Sequence, residues 1–359
     1  MKRLIPLLLL LLAPFAHAKE KYFVVERNDS AFAVIQDHRL KGRIEDLHNF
    51  NHAVAKFHGR HGFVITRDGY VIKFDPLAEK KLKEYKSSRS AIGFTLGDRY
   101  LAVANYDNRT VQILDFDLNP LQTFETGSKN VGIKVYRDRL VFALMDKDAL
   151  WVLRDTRPQA PRPRFERIKV FEDVGVAPFD AMINGKDYIV GFFRSPHVGV
   201  LDLETLTYRK VPLRKTDDQP VLKVPHFGFW SISGERIFIP AVGDNKVFVY
   251  TPDFRFVAAI EVAGLPVFTS LSPDRRFLAV TFSGKDFPRV QIVDTHSLKV
   301  VQDLRFSGKV LHLRWSQEEP LLYVSNNTGN TVVGVDTRSW KPLFRIPVRH
   351  PSGIFLYRY

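Results

Sequence analysis

Histidine recurs at one position of a repeated sequence pattern, and this clustering is the clearest sign of chemistry in the chain. Three of the 11 histidines, His52, His226 and His312, lie in similar short apolar motifs that each precede or begin a strand-like segment. Imidazole suits both metal ligation and proton transfer near neutral pH. The three are far apart in sequence and do not form a compact metal motif such as H-E-x-x-H. We therefore expect them to surround a wide ligand, although a single histidine is more often a hydrogen-bonded structural residue.

Aromatic and cationic side chains accompany the histidines. Phe179, Trp230 and Phe268 lie at or beside the same repeat position and offer flat apolar surfaces. A planar, partly polar ligand such as a tetrapyrrole fits this mixture, with a histidine on the iron and aromatic walls at the ring edges. Arg67 and Arg89 are candidates to hold its carboxylates. The alternative is that the aromatic residues belong to the core and the arginines are solvated.

The elements that position these residues follow from an internal repeat. An apolar strand, a polar turn and a second apolar strand recur at blade-like spacing, with period-2 alternation and Asn, Asp or Gly in the turn. Because two further short strands fit into each repeat, the sequence predicts four-stranded blades around a central channel. The eight hairpins begin at Phe23, Phe63, Leu101, Leu140, Tyr188, Ile237, Leu278 and Leu322.

The two ends of the chain complement each other. The motif that precedes the other hairpins is absent before Phe23, and an additional copy, HPSGIFLYRY, ends the chain with no hairpin after it. We therefore predict an all-β, eight-bladed β-propeller whose last blade is closed by both termini, which removes free sheet edges. Residues 19–359 form a single propeller domain in this prediction, and the Pro- and Arg-rich stretch 155–168 is a surface loop between blades.

The first 18 residues are predicted to be a signal peptide. Lys2 and Arg3 precede an apolar run, and Ala16-His17-Ala18 is a small-x-small cleavage site. The sequence thus predicts export to the periplasm without stable membrane insertion; the alternative is a retained membrane anchor.

Composition excludes several kinds of chemistry. The chain has no cysteine, which rules out a thiol nucleophile, a thiolate metal site and covalent haem attachment. The formal net charge of +14 suits an anionic ligand or an acidic partner, or only a solvated surface, and export argues against nucleic acid. No G-x-S-x-G motif or P-loop is present, and Asp180 is the only carboxylate at the repeat position.

Several stretches together resemble a known family. VERNDSAFAVI, NYDNRTVQILD, KVPHFGFW, VLHLRW and the terminal HPSGIF are similar to the d1-type haem-binding propeller of cytochrome cd1 nitrite reductase and to its relatives in haem d1 biosynthesis. The resemblance implies that His52 is the axial ligand of the haem iron and that Arg67 pairs with carboxylates. It also implies that Asp146 is a functional acid and that His226 and His312 lie on the distal side and in the channel. Phe229 departs from the family pattern.

The resemblance implies a periplasmic protein that binds haem d1 or a dihydro-haem d1 precursor non-covalently and processes or delivers it for assembly of the nitrite reductase. Transient contact with that reductase and with other haem d1 maturation proteins is expected. Nitrite reduction itself is not, since no cysteine is available for a c-type haem. If a reaction occurs, Asp146, His226 and His312 are the candidate proton-transfer residues. The alternatives are a non-catalytic carrier and a generic exported propeller, either a lactonase-like hydrolase or a protein-binding platform.

Overall fold

The computed structural model describes residues 19–213, 231–241 and 244–359, and it contains eight sheets of four antiparallel strands. The predicted segment 1–18 and the predicted site residues His226 and Trp230 lie outside the described residues. In each sheet the strands follow chain order from the channel outwards, except in the sheet that joins the two ends of the described chain. The strands of blades 1 to 4 are β1 (Glu20–Glu26), β2 (Ala31–Gln36), β3 (Arg39–Ile44) and β32 (Pro351–Arg358); β4 (Val54–His58), β5 (His61–Ile65), β6 (Tyr70–Asp75) and β7 (Lys80–Lys86); β8 (Ala91–Leu96), β9 (Leu101–Asn105), β10 (Thr110–Leu114) and β11 (Pro120–Glu125); β12 (Asn130–Tyr136), β13 (Arg139–Leu144), β14 (Ala149–Asp155) and β15 (Phe165–Phe171).

The remaining blades repeat this order, and two single-turn 3₁₀ helices occur in hairpin turns, at Met145–Lys147 and Gly284–Asp286. The arrangement is the predicted eight-bladed β-propeller, with each of the eight predicted hairpins forming the second and third strands of a blade. The strands of blades 5 to 8 are β16 (Pro178–Asn184), β17 (Asp187–Phe192), β18 (His197–Asp202) and β19 (Thr207–Pro212); β20 (Ser231–Ile232), β21 (Ile237–Ala241), β22 (Lys246–Tyr250) and β23 (Phe256–Glu261); β24 (Leu265–Leu271), β25 (Phe277–Ser283), β26 (Arg289–Asp294) and β27 (Lys299–Arg305); β28 (Val310–Trp315), β29 (Leu321–Asn326), β30 (Thr331–Asp336) and β31 (Pro342–Pro347).

Burial follows the position of a strand within its blade. The middle strands β9 and β10 are buried along their whole length because their faces pack against neighbouring blades. The outer strand β7 is mostly exposed and carries four lysines. Charged side chains on an outer strand oppose edge-to-edge pairing with another molecule.

The closing blade joins both ends of the chain, as predicted. Strand β32 pairs antiparallel with β1, with Phe23 opposite Phe355 and Val24 opposite Ile354. Glu26, at the end of β1, is fully buried and accepts hydrogen bonds from Arg43 and from Arg349, which lies just before β32. The C-terminal strand is thus held by a backbone ladder and by a buried ion pair.

One predicted boundary is displaced. The loop expected over 155–168 is shorter, because β14 extends to Asp155 and β15 already begins at Phe165. The Gln122 side chain of the neighbouring blade bonds both backbone groups of Phe165, and the Phe165 ring packs 5.0 Å from that of Tyr100. These contacts between blades extend the strand beyond what local composition indicates.

Among the described residues, five inner strands share a β-bulge at the same register, where two residues face one residue of the second strand. The equivalence extends to side chains, since the backbone N–H groups of Phe268 and His312 each donate to a hydroxyl on the second strand, Thr281 Oγ1 and Ser325 Oγ. The bulge therefore places Asp180, Phe268 and His312 at one level of the channel. The bulged pairs are Gly132–Ile133, Phe179–Asp180, Val267–Phe268, Leu311–His312 and Ser352–Gly353.

Gly132 permits the close approach of blades 4 and 5. Its φ is +59°, and an added Cβ would lie 2.8 Å from Tyr188 Oη and 3.0 Å from the Phe179 carbonyl oxygen. Gly185 has nearly the same φ, +58°, but no atom within 4 Å of the added Cβ. We expect Gly132→Ala to lower the free energy of unfolding by about 2 kcal/mol more than Gly185→Ala. Both substitutions strain the backbone, but only the methyl group added at position 132 is also overpacked against neighbouring atoms. Denaturant unfolding of both variants measures this difference, and equal losses would contradict it.

Candidate functional site

The start of each inner strand and the turn between the second and third strands lie at the same end of an antiparallel blade. We call this end of the channel the mouth. Arg67 is in the β5–β6 turn, Arg89 precedes β8, and Asp146 is in the 3₁₀ turn between β13 and β14. The structure therefore places these three predicted residues at the mouth, together with Tyr106 in the β9–β10 turn.

Cations and an aromatic ring form a continuous group across blades 2 to 4. The Arg67 guanidinium donates to Ser90 Oγ and lies 5.6 Å from the centre of the Tyr106 ring. Lys129 Nζ lies 5.2 Å from the centre of the same ring. The tyrosine thus has two cations near its π-system, an attraction of about 0.5–2 kcal/mol each. We call Arg67, Tyr106, Lys129 and Asp146 the rim cluster.

Asp146 supplies the negative charge of the rim cluster. Its Oδ2 accepts a hydrogen bond from the Lys129 backbone N–H at 3.0 Å, and its backbone N–H donates to Ser128 Oγ at 2.9 Å. Lys129 Nζ and Arg109 lie 3.9 and 4.0 Å from the carboxylate. Two cations therefore lie beside one half-exposed carboxylate. Together with Arg67 they leave the rim with excess positive charge for an anionic group of a ligand.

His52 lies in the loop between β3 and β4, is exposed and has a left-handed backbone with φ +64°. The same loop contacts the rim cluster, since the Asn49 carbonyl accepts a 2.9 Å hydrogen bond from the Arg67 backbone N–H. His52 and Arg67 are thus positioned by one local structure. Arg89 is exposed, and its backbone N–H donates to Asn108 Oδ1 at 3.1 Å.

His312 lies deeper, within the bulge of β28. Its Nδ1 accepts a 3.2 Å hydrogen bond from the Ile354 backbone N–H, and its ring centre is 6.3 Å from that of Phe268 and 6.0 Å from that of Phe355. Burial, with a smaller effect of Arg314, lowers the pKa of His312 to about 3. The neutral ring therefore carries its proton on Nε2. In this state the ring can donate a hydrogen bond through Nε2 and resists proton uptake.

Phe179 belongs to an aromatic pair that the sequence did not reveal. Its ring centre is 4.6 Å from that of Phe193, which follows β17 in the turn to β18. The two rings form an apolar wall where blade 5 reaches the mouth. Phe268 and His312 are at the same channel level as Asp180, next to Phe179.

Sequence reasoning missed Tyr106, Lys129 and Phe193. The available signal was positional, since Tyr106 and Phe193 occupy the same hairpin turn in their blades as Arg67 does in its own. Among the described residues, no group of three His, Cys, Asp or Glu side chains is arranged to hold a metal ion. An iron held here would depend on the tetrapyrrole and an axial histidine.

Comparison with known protein families identifies the family of this chain. Residues 16–358 match the model of the cytochrome D1 heme domain. The chain belongs to the cytochrome D1 heme domain family. Protein NirF of Stutzerimonas stutzeri is 31% identical over 356 residues, covering 92% of this chain and 90% of that protein. Protein NirF of Pseudomonas aeruginosa is 30% identical over 386 aligned positions, covering 99% and 97%. The family resemblance inferred from the sequence is confirmed.

Solved structures share this propeller fold. The dihydro-heme d1 dehydrogenase NirN, solved in complex with DHE, has a TM-score of 0.79 at 19% identity and covers 93% of this chain and 74% of its own. Apo AztD from Citrobacter koseri has a TM-score of 0.71 at 13% identity, with 95% and 98% covered. At these identities the likeness establishes the fold alone. Within the residues that the structure describes, no helix is long and apolar enough to cross a bilayer.

Proposed function

We propose that this d1-type propeller binds haem d1 or its dihydro precursor non-covalently at the mouth, and processes or delivers it during haem d1 assembly in the periplasm. The observation that carries the proposal is the rim cluster, where Arg67 and Lys129 approach the Tyr106 ring. A tetrapyrrole presents a flat ring with carboxylate side arms, which matches stacked aromatic surface and adjacent cations. The NirN neighbour, which shares the propeller fold, was solved in complex with DHE.

His52 is the proposed axial ligand of the iron. His52 is exposed and lies in the loop whose backbone bonds Arg67, which places it at the mouth beside the rim cluster. Nδ1 of His312 already accepts a backbone hydrogen bond, which makes it the poorer candidate. When bound, the iron tetrapyrrole would supply redox chemistry, whereas the protein residues would orient it and hold its carboxylates.

Absorbance titration with dihydro-haem d1 tests this proposal. The wild-type protein should shift the Soret band at a stoichiometry of one ligand per chain. In His52→Ala we expect a different Soret position and about tenfold weaker binding, because the iron loses its protein ligand while the ring contacts remain. The matched control is His296→Ala, on an exposed turn between β26 and β27. Absence of a Soret shift in the wild-type protein would refute tetrapyrrole binding.

Mass spectrometry separates processing from delivery. A change in the mass of the precursor after incubation with an electron acceptor would assign a processing step, and Asp146→Asn would then test proton transfer at the rim. An unchanged precursor that passes to apo nitrite reductase would assign delivery. The proposed export is tested by fractionating cells and sequencing the mature N-terminus, which should be Lys19.

A further inference from the structure

A histidine and an aspartate face each other in the blade that joins the two ends of the chain. Asp29 is in the turn between β1 and β2, and His350 directly precedes the inner strand β32. A hairpin turn of this kind and the start of an inner strand both lie at the mouth, so the two residues belong to that end of blade 1. His350 Nδ1 lies 3.9 Å from Asp29 Oδ2. We call the two residues the blade 1 dyad.

The two facing atoms of the dyad are both buried. Among the described residues, neither His350 Nδ1 nor Asp29 Oδ2 makes a hydrogen bond. Buried polar atoms are nearly always hydrogen-bonded, and a proton on Nδ1 would satisfy both atoms once the gap closes by about 1 Å. The proton of the neutral His350 ring therefore belongs on Nδ1, and the lone pair belongs on Nε2.

Arg349 orients the carboxylate of the dyad. Its Nη1 lies 3.3 Å from Asp29 Oδ1, and its Nη2 donates a 3.0 Å hydrogen bond to the buried carboxylate of Glu26. A guanidinium group only donates, so it takes one oxygen of Asp29 and leaves Oδ2 for the imidazole. The carboxylate is thus held from the core of blade 1.

The backbone of His350 is held from two neighbouring turns. Its N–H donates to Asn330 Oδ1 at 2.9 Å, and its carbonyl accepts a 3.3 Å hydrogen bond from the Arg27 backbone N–H. The side chain is 43% exposed although Nδ1 is buried, so solvent reaches the ring on its other atoms. Nε2 is the ring nitrogen that remains for a ligand.

The dyad adjoins the loop that carries the proposed iron ligand. The Arg27 side chain donates to Asn51 Oδ1, and the Ser30 carbonyl accepts a 2.9 Å hydrogen bond from the Leu47 backbone N–H. Both bonds join the β1–β2 turn to the β3–β4 loop, which contains His52. A ligand bound beside His52 therefore lies next to blade 1.

The dyad has the protonation pattern that His312 lacks. Nδ1 of His312 accepts a hydrogen bond from the Ile354 backbone N–H, and burial lowers the pKa of this histidine to about 3. His350 has the opposite arrangement, with a carboxylate beside Nδ1. A histidine oriented in this way can accept a proton on Nε2, because the carboxylate stabilises the imidazolium ion that forms.

We propose that His350 is a proton acceptor at the mouth and that Asp29 is its positioning residue. In the step, a proton leaves a C–H group of the ligand that is activated by conjugation, and it binds to His350 Nε2. The ligand keeps the electron pair of the C–H bond, and Asp29 balances the charge of the imidazolium. The identity of the ligand as a tetrapyrrole rests on the proposed function, whereas the protonation of the dyad does not.

NMR of ¹⁵N-histidine in the ligand-free, full-length protein tests the dyad. The neutral His350 ring, assigned by comparison with His350→Gln, should carry its proton on Nδ1. In Asp29→Asn the proton should move to Nε2, because Arg349 retains the amide oxygen and the amide N–H then faces Nδ1. A wild-type ring protonated on Nε2, or the same tautomer in Asp29→Asn, would overturn the proposal.

Hydrogen exchange of dihydro-haem d1 tests the proton transfer, and it requires no electron acceptor. In D₂O the wild-type protein should catalyse incorporation of deuterium at carbon, which mass spectrometry detects. His350→Gln should slow this exchange at least about 100-fold, the usual contribution of a general base. Asp29→Asn should slow it similarly, since a protonated Nε2 accepts no proton. The Soret shift should persist in both variants and show that they still fold and bind.

His38→Gln is the matched control. His38 also pairs with a carboxylate, Glu319 Oε2 at 2.6 Å, but it lies in the β2–β3 turn at the opposite end of blade 1. This variant should keep the wild-type exchange rate and the wild-type tautomer of His350. Equal exchange in wild type and His350→Gln would refute proton acceptance by His350. A wild-type protein without a Soret shift would instead remove the proposed function, and the tautomer of His350 would still decide whether the dyad exists.

Discussion

Replacing Arg67 with methionine is expected to weaken dihydro-haem d1 binding by about 10- to 100-fold, because a charge-assisted hydrogen bond contributes about 1.5–3 kcal/mol. Methionine keeps much of the aliphatic stem but removes the guanidinium that bonds Ser90 and lies 5.6 Å from the centre of the Tyr106 ring. The measurement is the dissociation constant from Soret titration at fixed salt. The affinity of the variant should also depend less on ionic strength, since one cation of the rim has been lost.

The control for Arg67 is Arg305→Met, an exposed arginine on the outer strand β27 that pairs with Asp303 at 3.7 Å. This variant should bind like the wild-type protein. Lys129→Met should weaken binding as well, and the double variant should lose less than the sum of the single losses, because both cations lie near one ring. Wild-type affinity in Arg67→Met would show that the carboxylates are held away from the rim cluster.

Replacing Glu26 with glutamine is expected to lower the free energy of unfolding by about 3 kcal/mol. The substitution removes a fully buried carboxylate that accepts hydrogen bonds from two arginines. Glu26 accepts from Arg43 at 2.8 and 3.1 Å and from Arg349 at 2.9 and 3.0 Å. The glutamine amide turns one acceptor into a donor that faces these donors. Denaturant unfolding at neutral pH measures the loss.

Glu45→Gln is the matched control, since Glu45 lies 3.9 Å from the same Arg349 but is 66% exposed. Its loss should stay below about 0.5 kcal/mol. Burial alone would raise the pKa of Glu26, but the hydrogen bonds from Arg43 and Arg349 outweigh it and hold the pKa below its ordinary value. The stabilisation is therefore present above a pH of about 4.3 and is lost as pH falls through the pKa of the folded state. The difference between wild type and Glu26→Gln should shrink in acid; a constant difference would contradict this assignment.

The blades were predictable because their signals are local. Alternating apolar residues and turn residues identify hairpins such as the one beginning at Phe63, and each predicted hairpin is found in the structure. Closure by both termini was also predictable, since the first hairpin lacked an inner strand that the C-terminal motif could provide. The position of β15 was not, because Gln122 and Tyr100 of another blade extend it to Phe165.

The mouth was predicted in part. Arg67 and Asp146 lie in hairpin turns, and a repeat places all such turns at one end of the blades. The role of Tyr106 between Arg67 and Lys129 depends on contacts across three blades, which no spacing in the sequence specifies. The exact depth of His312 depends on a bulge, and the extra residue of a bulge leaves hydrophobic alternation almost unchanged.

The sequence by itself determined the eight hairpins, the closure of the ring and the end of the channel at which the candidate residues lie. These features follow from period-2 burial and turn chemistry, which act over a few neighbouring residues. Only the tertiary structure decided that the Tyr106 ring lies near both Arg67 and Lys129 and that burial lowers the pKa of His312. Such properties depend on how deeply a side chain is buried and on charges from distant strands, and both are set when the blades close around the channel.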